Sequence, residues 1–353
     1  MTITGIHHIT MVAHDAQRTV DFYTGTLGLR LVKQTVNFDD PSAYHLYFGD
    51  DAASPGTLLT FFVWKDLPPG RTGIGDTHHL ALETRDRDTL LQWKRWLTDR
   101  GLRVTGPYDR VYFTDPDGLI VEIATRGPGW TVDEPADALG TTVHLPPAST
   151  TRGGRDERTI AAETWPEPVA VPTLEMRLDR LHHITAIGSD AGRTAAFFTE
   201  TLGMRLLKRT VNFDDASSPH LYFGVGEGAP GTVVTYFIYP PGSLPRAQIG
   251  AGMTHHYALS VPDDDAHRAW YERLNAAGVR TTPILDRYYF KSIYFQDPDG
   301  HIVEIATAGP GFDIDEPVAD LGRTLRLPPD LQSARAAIEP ILAPLRVPEP
   351  VGR

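Results

Sequence analysis

No cysteine occurs among the 353 residues. Disulfides, thiolate metal ligands and a cysteine nucleophile are thereby excluded, so any metal would be held by nitrogen and oxygen donors. Long apolar runs are missing as well. Hydrophobic content is an ordinary 41%, and no stretch approaches the roughly 18 residues of a membrane span. The opening "MTITGIHHIT" lacks the basic-then-apolar pattern of a signal peptide, and a cytosolic protein is expected. Positive charge is short: 33 Lys and Arg stand against 45 Asp and Glu, a net charge of −12. Nucleic acid and an anionic membrane are therefore poor partners. A small anionic substrate is not excluded, because one local arginine outweighs a diffuse field. The length suits two domains of ordinary size and leaves a homo-oligomer open.

What the chain does have is histidine in pairs. Eight of its 14 histidines form His7–His8, His78–His79, His182–His183 and His255–His256. The pairs belong to an internal repeat. Residues 6–49 align without a gap on residues 181–224, an offset of 183 − 8 = 175, and roughly two-thirds of the positions are identical. "DPDGLIVEIAT" and "DPDGHIVEIAT" correspond further on, as do "GPGWTVDEPADALG" and "GPGFDIDEPVADLG". The chain thus reads as two halves, 1–147 and 178–330, with a linker at 148–177 and a Pro-punctuated tail at 331–353.

Each half divides again. "IHHITMVA" reads as a strand, "DAQRTVDFYTGTLG" as a helix with Asp15 as N-cap, and "LRLVKQTVNF", "YHLYFG" and "TLLTFFVW" as three more strands. The second part repeats that order: "THHLALET", the helix "DRDTLLQWKRWLTDRG", then strands around Val104, "VYFT" and "LIVEIAT". Four βαβββ modules of an α+β fold result. An open sheet with helix on one face must cover its other face and edge, so the modules are expected to pair into cupped mixed sheets.

Neighbours on a strand point to opposite faces. His8 shares a face with Ile6 and Thr10, whereas His7 falls with Ile9 and Met11, under the helix. The second histidine of each pair is thus expected to face the cup. The last strand of each half carries one carboxylate in an apolar run, Glu122 or Glu304, which is costly unless paired or metal-bound. Taken singly, a strand histidine is usually a hydrogen-bonded core residue. Four pairs and two embedded glutamates in one order point instead to the two-imidazole, one-carboxylate triad of non-haem iron sites. "NFDD", "DPDG" and the histidines of "HLYF", His45 and His220, read as structural.

The modules, "HHIT", "FYTGTLGLRLVK", "THH" and "DPDG…VEIAT" resemble the vicinal oxygen chelate superfamily of glyoxalase I, fosfomycin-resistance proteins and type I extradiol dioxygenases. "GIHHIT…DFYTGTLGLRLVKQTVNFDD…YHLYFGD…PGTLLTFF" is similar to the dioxygenases that cleave hydroquinones. The resemblance implies the vicinal oxygen chelate fold and Fe(II), with Mn(II) as the other candidate, held by His8, His256 and Glu304. It also implies a site lined by His7, Thr10, His255, Arg287 and Tyr294, a small aromatic substrate and O₂. Tyr294, His255 and Arg287 would be the catalytic groups, and His7 and Thr10 would bind substrate.

His79, Glu122 and His183 form a complementary second set. Arg287 and Tyr294 are separated by "YYFKSI", but Arg110 and Tyr112 only by Val111, so the second set is expected to bind metal without a matching Arg–Tyr pair. This arrangement joins modules one with four and two with three. The other pairing would give His8–His79–Glu122 and His183–His256–Glu304. Two rival functions stand beside the dioxygenase: a glyoxalase-like isomerase or lyase, and a non-enzymatic small-molecule-binding protein. The isomerase commonly takes a fourth ligand from the last strand of the odd modules, where "TLLTFFVW" and "TVVTYFIY" offer no carboxylate.

Overall fold

The computed structural model describes residues 2–106, 109–178 and 180–351. Module one is β1 (Gly5–Ala13), α1 (Ala16–Tyr23), β2 (Arg30–Val36), β3 (Tyr44–Gly49) and β4 (Leu58–Val63). Module two is β5 (Thr77–Thr84), α2 (Arg87–Asp99), β6 (Arg110–Thr114) and β7 (Ile120–Thr125). After a connecting helix α3 (Glu157–Ala162), module three is β8 (Leu181–Gly188), α4 (Ala191–Ala196), β9 (Arg205–Val211), β10 (Pro219–Gly224) and β11 (Val233–Ile238). Module four is β12 (Thr254–Val261), α5 (Asp264–Ala276), β13 (Leu285–Asp286), β14 (Phe290–Gln296) and β15 (Ile302–Pro310). Around Val104 no strand forms among the described residues, and Thr105 alone bridges to Tyr112. The helix starts are set by side chains: Asp15 accepts from the Arg18 N–H, and Asp86 and Thr89 make a reciprocal capping box.

Two curled mixed sheets result, and each draws on both halves. One runs β13-β14-β15-β12-β1-β4-β3-β2, the other β6-β7-β5-β8-β11-β10-β9. Module one therefore shares a sheet with module four, and module two with module three. The joints are antiparallel, β1 on β12 and β5 on β8. Within a half, contact runs through the helical layer instead. The Trp96 indole donates to the Thr26 carbonyl, and Tyr23 donates to Asp115. All nine residues of β1 are buried, because helices cover one face of the sheet and the cup's own side chains fill the other.

One edge of each sheet, β9 or β2, is covered by the segment that follows a half. His144 N–H donates to the Arg209 carbonyl on β9, and Arg326 N–H to the Gln34 carbonyl on β2. Gly140 and Gly322, at φ of 74° and 78°, pass so close that a Cβ would collide with the carbonyl oxygens of Leu206 and Leu31. At the β2 edge, Lys33 is fully buried and bonded to Asp315 and to the equally buried Glu316. No helix among the described residues is long and apolar enough to cross a membrane.

Lys33→Ala strands the Glu316 carboxylate, although Arg326 retains its bond to it, and is expected to cost about 3 kcal/mol. Lys208→Ala, which breaks the partly exposed pair with Asp133, should cost about 1 kcal/mol or less. Denaturant unfolding of the two variants side by side measures the contrast.

Candidate metal centres

Glu304 sits in the middle of β15, completely buried. In the first sheet β15 lies beside β12 and β12 beside β1, so His8, His256 and Glu304 arrive from three adjacent strands. His8 Nε2 and His256 Nε2 are 3.2 Å apart, and Glu304 Oε2 is 3.3 and 3.0 Å from them. Donor atoms ~2.1 Å from one ion and at right angles to each other lie about 3.0 Å apart. The spacing is thus close enough for all three atoms to bind one ion, and a three-residue donor set leaves further coordination positions to non-protein ligands. Glu304 Oε2 has no aligned hydrogen-bond donor among the described residues, while Ser292 donates to its other oxygen. Burial acts to raise the Glu304 pKa, but His8 and His256 outweigh it and hold the carboxyl well below the usual range. A buried anion with one free oxygen aimed between two imidazole nitrogens fits a divalent metal ion.

The second sheet repeats the cluster. Glu122 Oε2 is 3.0 Å from His79 Nε2 and 3.7 Å from His183 Nε2, and the two nitrogens are 3.4 Å apart. Neither Glu122 oxygen has an aligned donor among the described residues. These two triads are the groups among the described residues whose His, Asp or Glu donor atoms converge in this way.

The doubled histidines have a common geometry. In every pair the Nδ1 of the first lies 2.8 Å from the Nδ1 of the second. Strict alternation would forbid this contact. It is made because the first histidine is an extra residue in the ladder: His7 and His255 are skipped between β1 and β12, and His78 and His182 between β5 and β8. A β-bulge re-aims the side chain. The expectation that His7 packs under the helix is therefore corrected: its ring meets His8 and, at 5.0 Å, Phe290. A ligand that presents its Nε2 lone pair to a metal carries its proton on Nδ1 and donates it to the first histidine. Burial, then the neighbouring imidazole, lowers His7, His78 and His255 to about 3, so each remains a neutral acceptor.

The remaining residues singled out in the sequence gather at the first centre. Thr10 Oγ1 is 3.0 Å from His256 Nε2 and 2.7 Å from Thr60 Oγ1. Tyr294 lies directly across from Glu304 in the β14–β15 register, its ring 5.5 Å from that of His256. The Arg287 guanidinium is 5.4 Å from the Tyr294 ring and is held by Asp39, 2.9 Å away. Asp39 belongs to "NFDD", read from sequence as turn chemistry alone, and Ser292 was not singled out at all. The repeat itself could have exposed Ser292, since Arg110 stands in its place in β6.

The second centre also has its tyrosine and arginine. Tyr112 lies across from Glu122 as Tyr294 does from Glu304, 5.4 Å from the His79 ring. Burial and Glu122 push the Tyr112 phenol well up while Arg110 opposes them. The pair does not match that of the first centre: Arg287 precedes β14 and stands seven residues before Tyr294, whereas Arg110 comes from β6 itself, two residues before Tyr112 and on its face, at the place of Ser292.

With this fold and these triads on the page, comparison with known proteins is decisive for the class. Residues 5–123 and 180–305 match the family described as the Glyoxalase/Bleomycin resistance protein/Dioxygenase superfamily, and the chain belongs to it. Its relatives include "Putative ring-cleaving dioxygenase MhqA" of Bacillus subtilis, 32% identical over 98% of this chain and 100% of that protein. Another is the chlorohydroquinone/hydroquinone 1,2-dioxygenase of Sphingobium indicum, 27% identical over 94% of each chain. A crystal structure of a "putative dioxygenase" from Bacillus subtilis matches 99% of both chains at 32% identity with a TM-score of 0.78. Glyoxalase I of Zea mays, at 17% identity and a TM-score of 0.56, shares the fold.

His256→Ala or Glu304→Ala should each remove one metal ion per chain, and His255→Ala should weaken retention by about 10–100-fold while leaving every ligand in place. Metal analysis after dialysis against graded chelator reads both effects; unchanged retention in His255→Ala would show that the Nδ1···Nδ1 contact orients nothing.

Proposed function

We propose that the protein is an Fe(II)-dependent, extradiol-type ring-cleaving dioxygenase acting on a hydroquinone- or catechol-type aromatic with O₂, and that His8, His256 and Glu304 form its working centre. The convergence of two Nε2 atoms and one carboxylate oxygen within 3.3 Å carries the reading. Mn(II) suits the same donors. The full-length relatives named as ring-cleaving dioxygenases support it, as does the lack of a carboxylate on β4 and β11, where a fourth ligand would stand.

When bound, Fe(II) supplies Lewis acidity toward the phenolic oxygen and access to O₂. The other steps belong to the chain. Burial and the Glu304 charge push Tyr294 up from the ordinary phenol range, so its hydroxyl stays protonated and donates to a reacting oxygen. Arg287, anchored by Asp39, presents a fixed positive charge beside it. His255 accepts from His256 at Nδ1 and therefore, as a neutral ring, carries its proton at Nε2, from which it can donate a hydrogen bond to a reacting oxygen. Both atoms of O₂ enter the product as one carbon–carbon bond beside a hydroxyl-bearing carbon breaks, which gives a ring-opened unsaturated acid without an outside reductant.

The deciding experiment loads the protein with Fe(II) without oxygen, then follows oxygen uptake with hydroquinone, catechol and the methylglyoxal–glutathione hemithioacetal. Uptake with a diol is expected; conversion of the hemithioacetal without uptake would establish an isomerase. Tyr294→Phe should keep its metal and lose on the order of 100-fold in kcat, and a wild-type rate would remove the hydroxyl from the mechanism.

A further inference from the structure

We propose that the His79–Glu122–His183 centre is a second reaction centre, built for a hydroxylated aromatic acid, a ring diol that also carries a carboxylate. The proposal rests on the ring-cleaving reading for its chemistry and on the cavity over this centre for its substrate.

The cavity has a volume of about 580 Å³ and reaches the cluster at His79 and His183, a size proper to a small-molecule site. Phe213, Tyr222, Phe237 and Tyr239 give it aromatic walls. Its charge is opposite to that of the protein as a whole. Four arginines line it against two aspartates and no lysine or glutamate, in a chain of net charge −12. One aspartate, Asp214, is already paired with Arg155 at 2.7 Å. Arg103 and Arg152, both exposed at the cavity, make no ion pair among the described residues.

One substitution between the repeats turns this charge toward the metal site. Ser292 precedes Tyr294 by two residues on β14 and lies across from Ala306; Arg110 precedes Tyr112 by two on β6 and lies across from Ala124. At the first centre the position holds a neutral hydroxyl bonded to the glutamate. At the second it holds a guanidinium that acts electrostatically on both Glu122 and Tyr112. Asp109 occupies two of its nitrogens, Nε and Nη2 at 2.9 Å each, and the guanidinium also interacts with Tyr112, so a carboxylate in the cavity would be met at Nη1, beside Tyr112. The diol would meet the metal position and Tyr112, and the carboxylate would meet Arg110. Ring opening balances without an added reductant: one carbon–carbon bond breaks beside a hydroxyl-bearing carbon, both oxygen atoms of O₂ enter the product, and its four electrons come from the ring.

The test uses the full chain with the first centre disabled by His8→Ala, or by Glu304→Gln where circular dichroism finds the first variant unfolded. Such a protein should hold one Fe(II) per chain and bind 2,5-dihydroxybenzoate without oxygen by calorimetry, more tightly than unsubstituted hydroquinone. Adding Arg110→Ser, which copies the first centre, should weaken 2,5-dihydroxybenzoate about tenfold with little effect on hydroquinone. Adding His183→Ala or Glu122→Gln should remove both metal and binding. Admission of O₂ should then give uptake with 2,5-dihydroxybenzoate. A first-centre variant that holds no metal, binding that ignores Arg110→Ser, or binding without uptake would each overturn the proposal. Failure of the ring-cleaving reading is separately visible: the wild-type protein would then take up no oxygen with any diol, while metal content and anaerobic binding stayed intact.

Discussion

An ionised carboxylate in the middle of a buried strand cannot stand alone, and the architecture follows from how Glu304 and Glu122 are answered. Each would carry a desolvation penalty of several kcal/mol unless opposite charge or a metal meets it. The partners are imidazoles from the two strands at the joint of each sheet. That joint is β1 against β12 in one sheet and β5 against β8 in the other, so a glutamate of one half always meets a histidine of the other. Neither half contains a complete cluster. The duplication has made two clusters that exist only when the halves interlock, so a metal held there would couple its binding to folding through the same strands.

The bulge at each joint reconciles two demands that a regular ladder cannot meet together. The ligand histidine must aim Nε2 at the carboxylate, and its Nδ1 must find an acceptor although both faces of the strand are buried. Inserting one unpaired histidine supplies the acceptor from the adjacent residue. This is why the histidines come doubled, and why the doubling appears four times: each of the two joints bulges on both of its strands. Burial does the rest, since an imidazole kept near a pKa of about 3 cannot compete with the ligand for a proton at neutral pH.

Much of this could be read in the sequence because the repeat supplies its own comparison. His8, His256 and Glu304 stand out as doubled or embedded polar residues in apolar strands, and the second triad follows from the same pattern. The module pairing was left as two alternatives, since it depends on which strand edges meet and period-2 alternation is silent on that. The alternation rule itself fails at His7, because a bulge leaves no mark on hydrophobic periodicity. Arg110 departs from the placement of Arg287, as the shorter segment implies, but its place in register with Ser292 was not read from the sequence, although residues two apart on a strand share a face. Asp39 was hidden by good turn chemistry: Asn37 does accept from the Asp39 N–H at 2.9 Å, and the side chain is still free to hold Arg287.

The two "HLYF" histidines show how the same residue type separates into structural and reactive roles. His45 has both nitrogens satisfied, by Thr60 at 2.9 Å and Tyr47 at 2.9 Å, and His220 has the same partners in Thr235 and Tyr222. A histidine with two neutral hydroxyl partners and no carboxylate has no lone pair to offer and belongs to the wall. Yet the wall is continuous with the centre, for Thr60 bonds Thr10, and Thr10 reaches His256. Thr235, Thr185 and His79 repeat the chain. Through it the identity of the residue beside each metal cluster is tied to a rigid hydrogen-bonded frame common to both cups. What distinguishes the cups is then confined to the side that the frame does not reach, where one carries Ser292 beside its glutamate and the other Arg110.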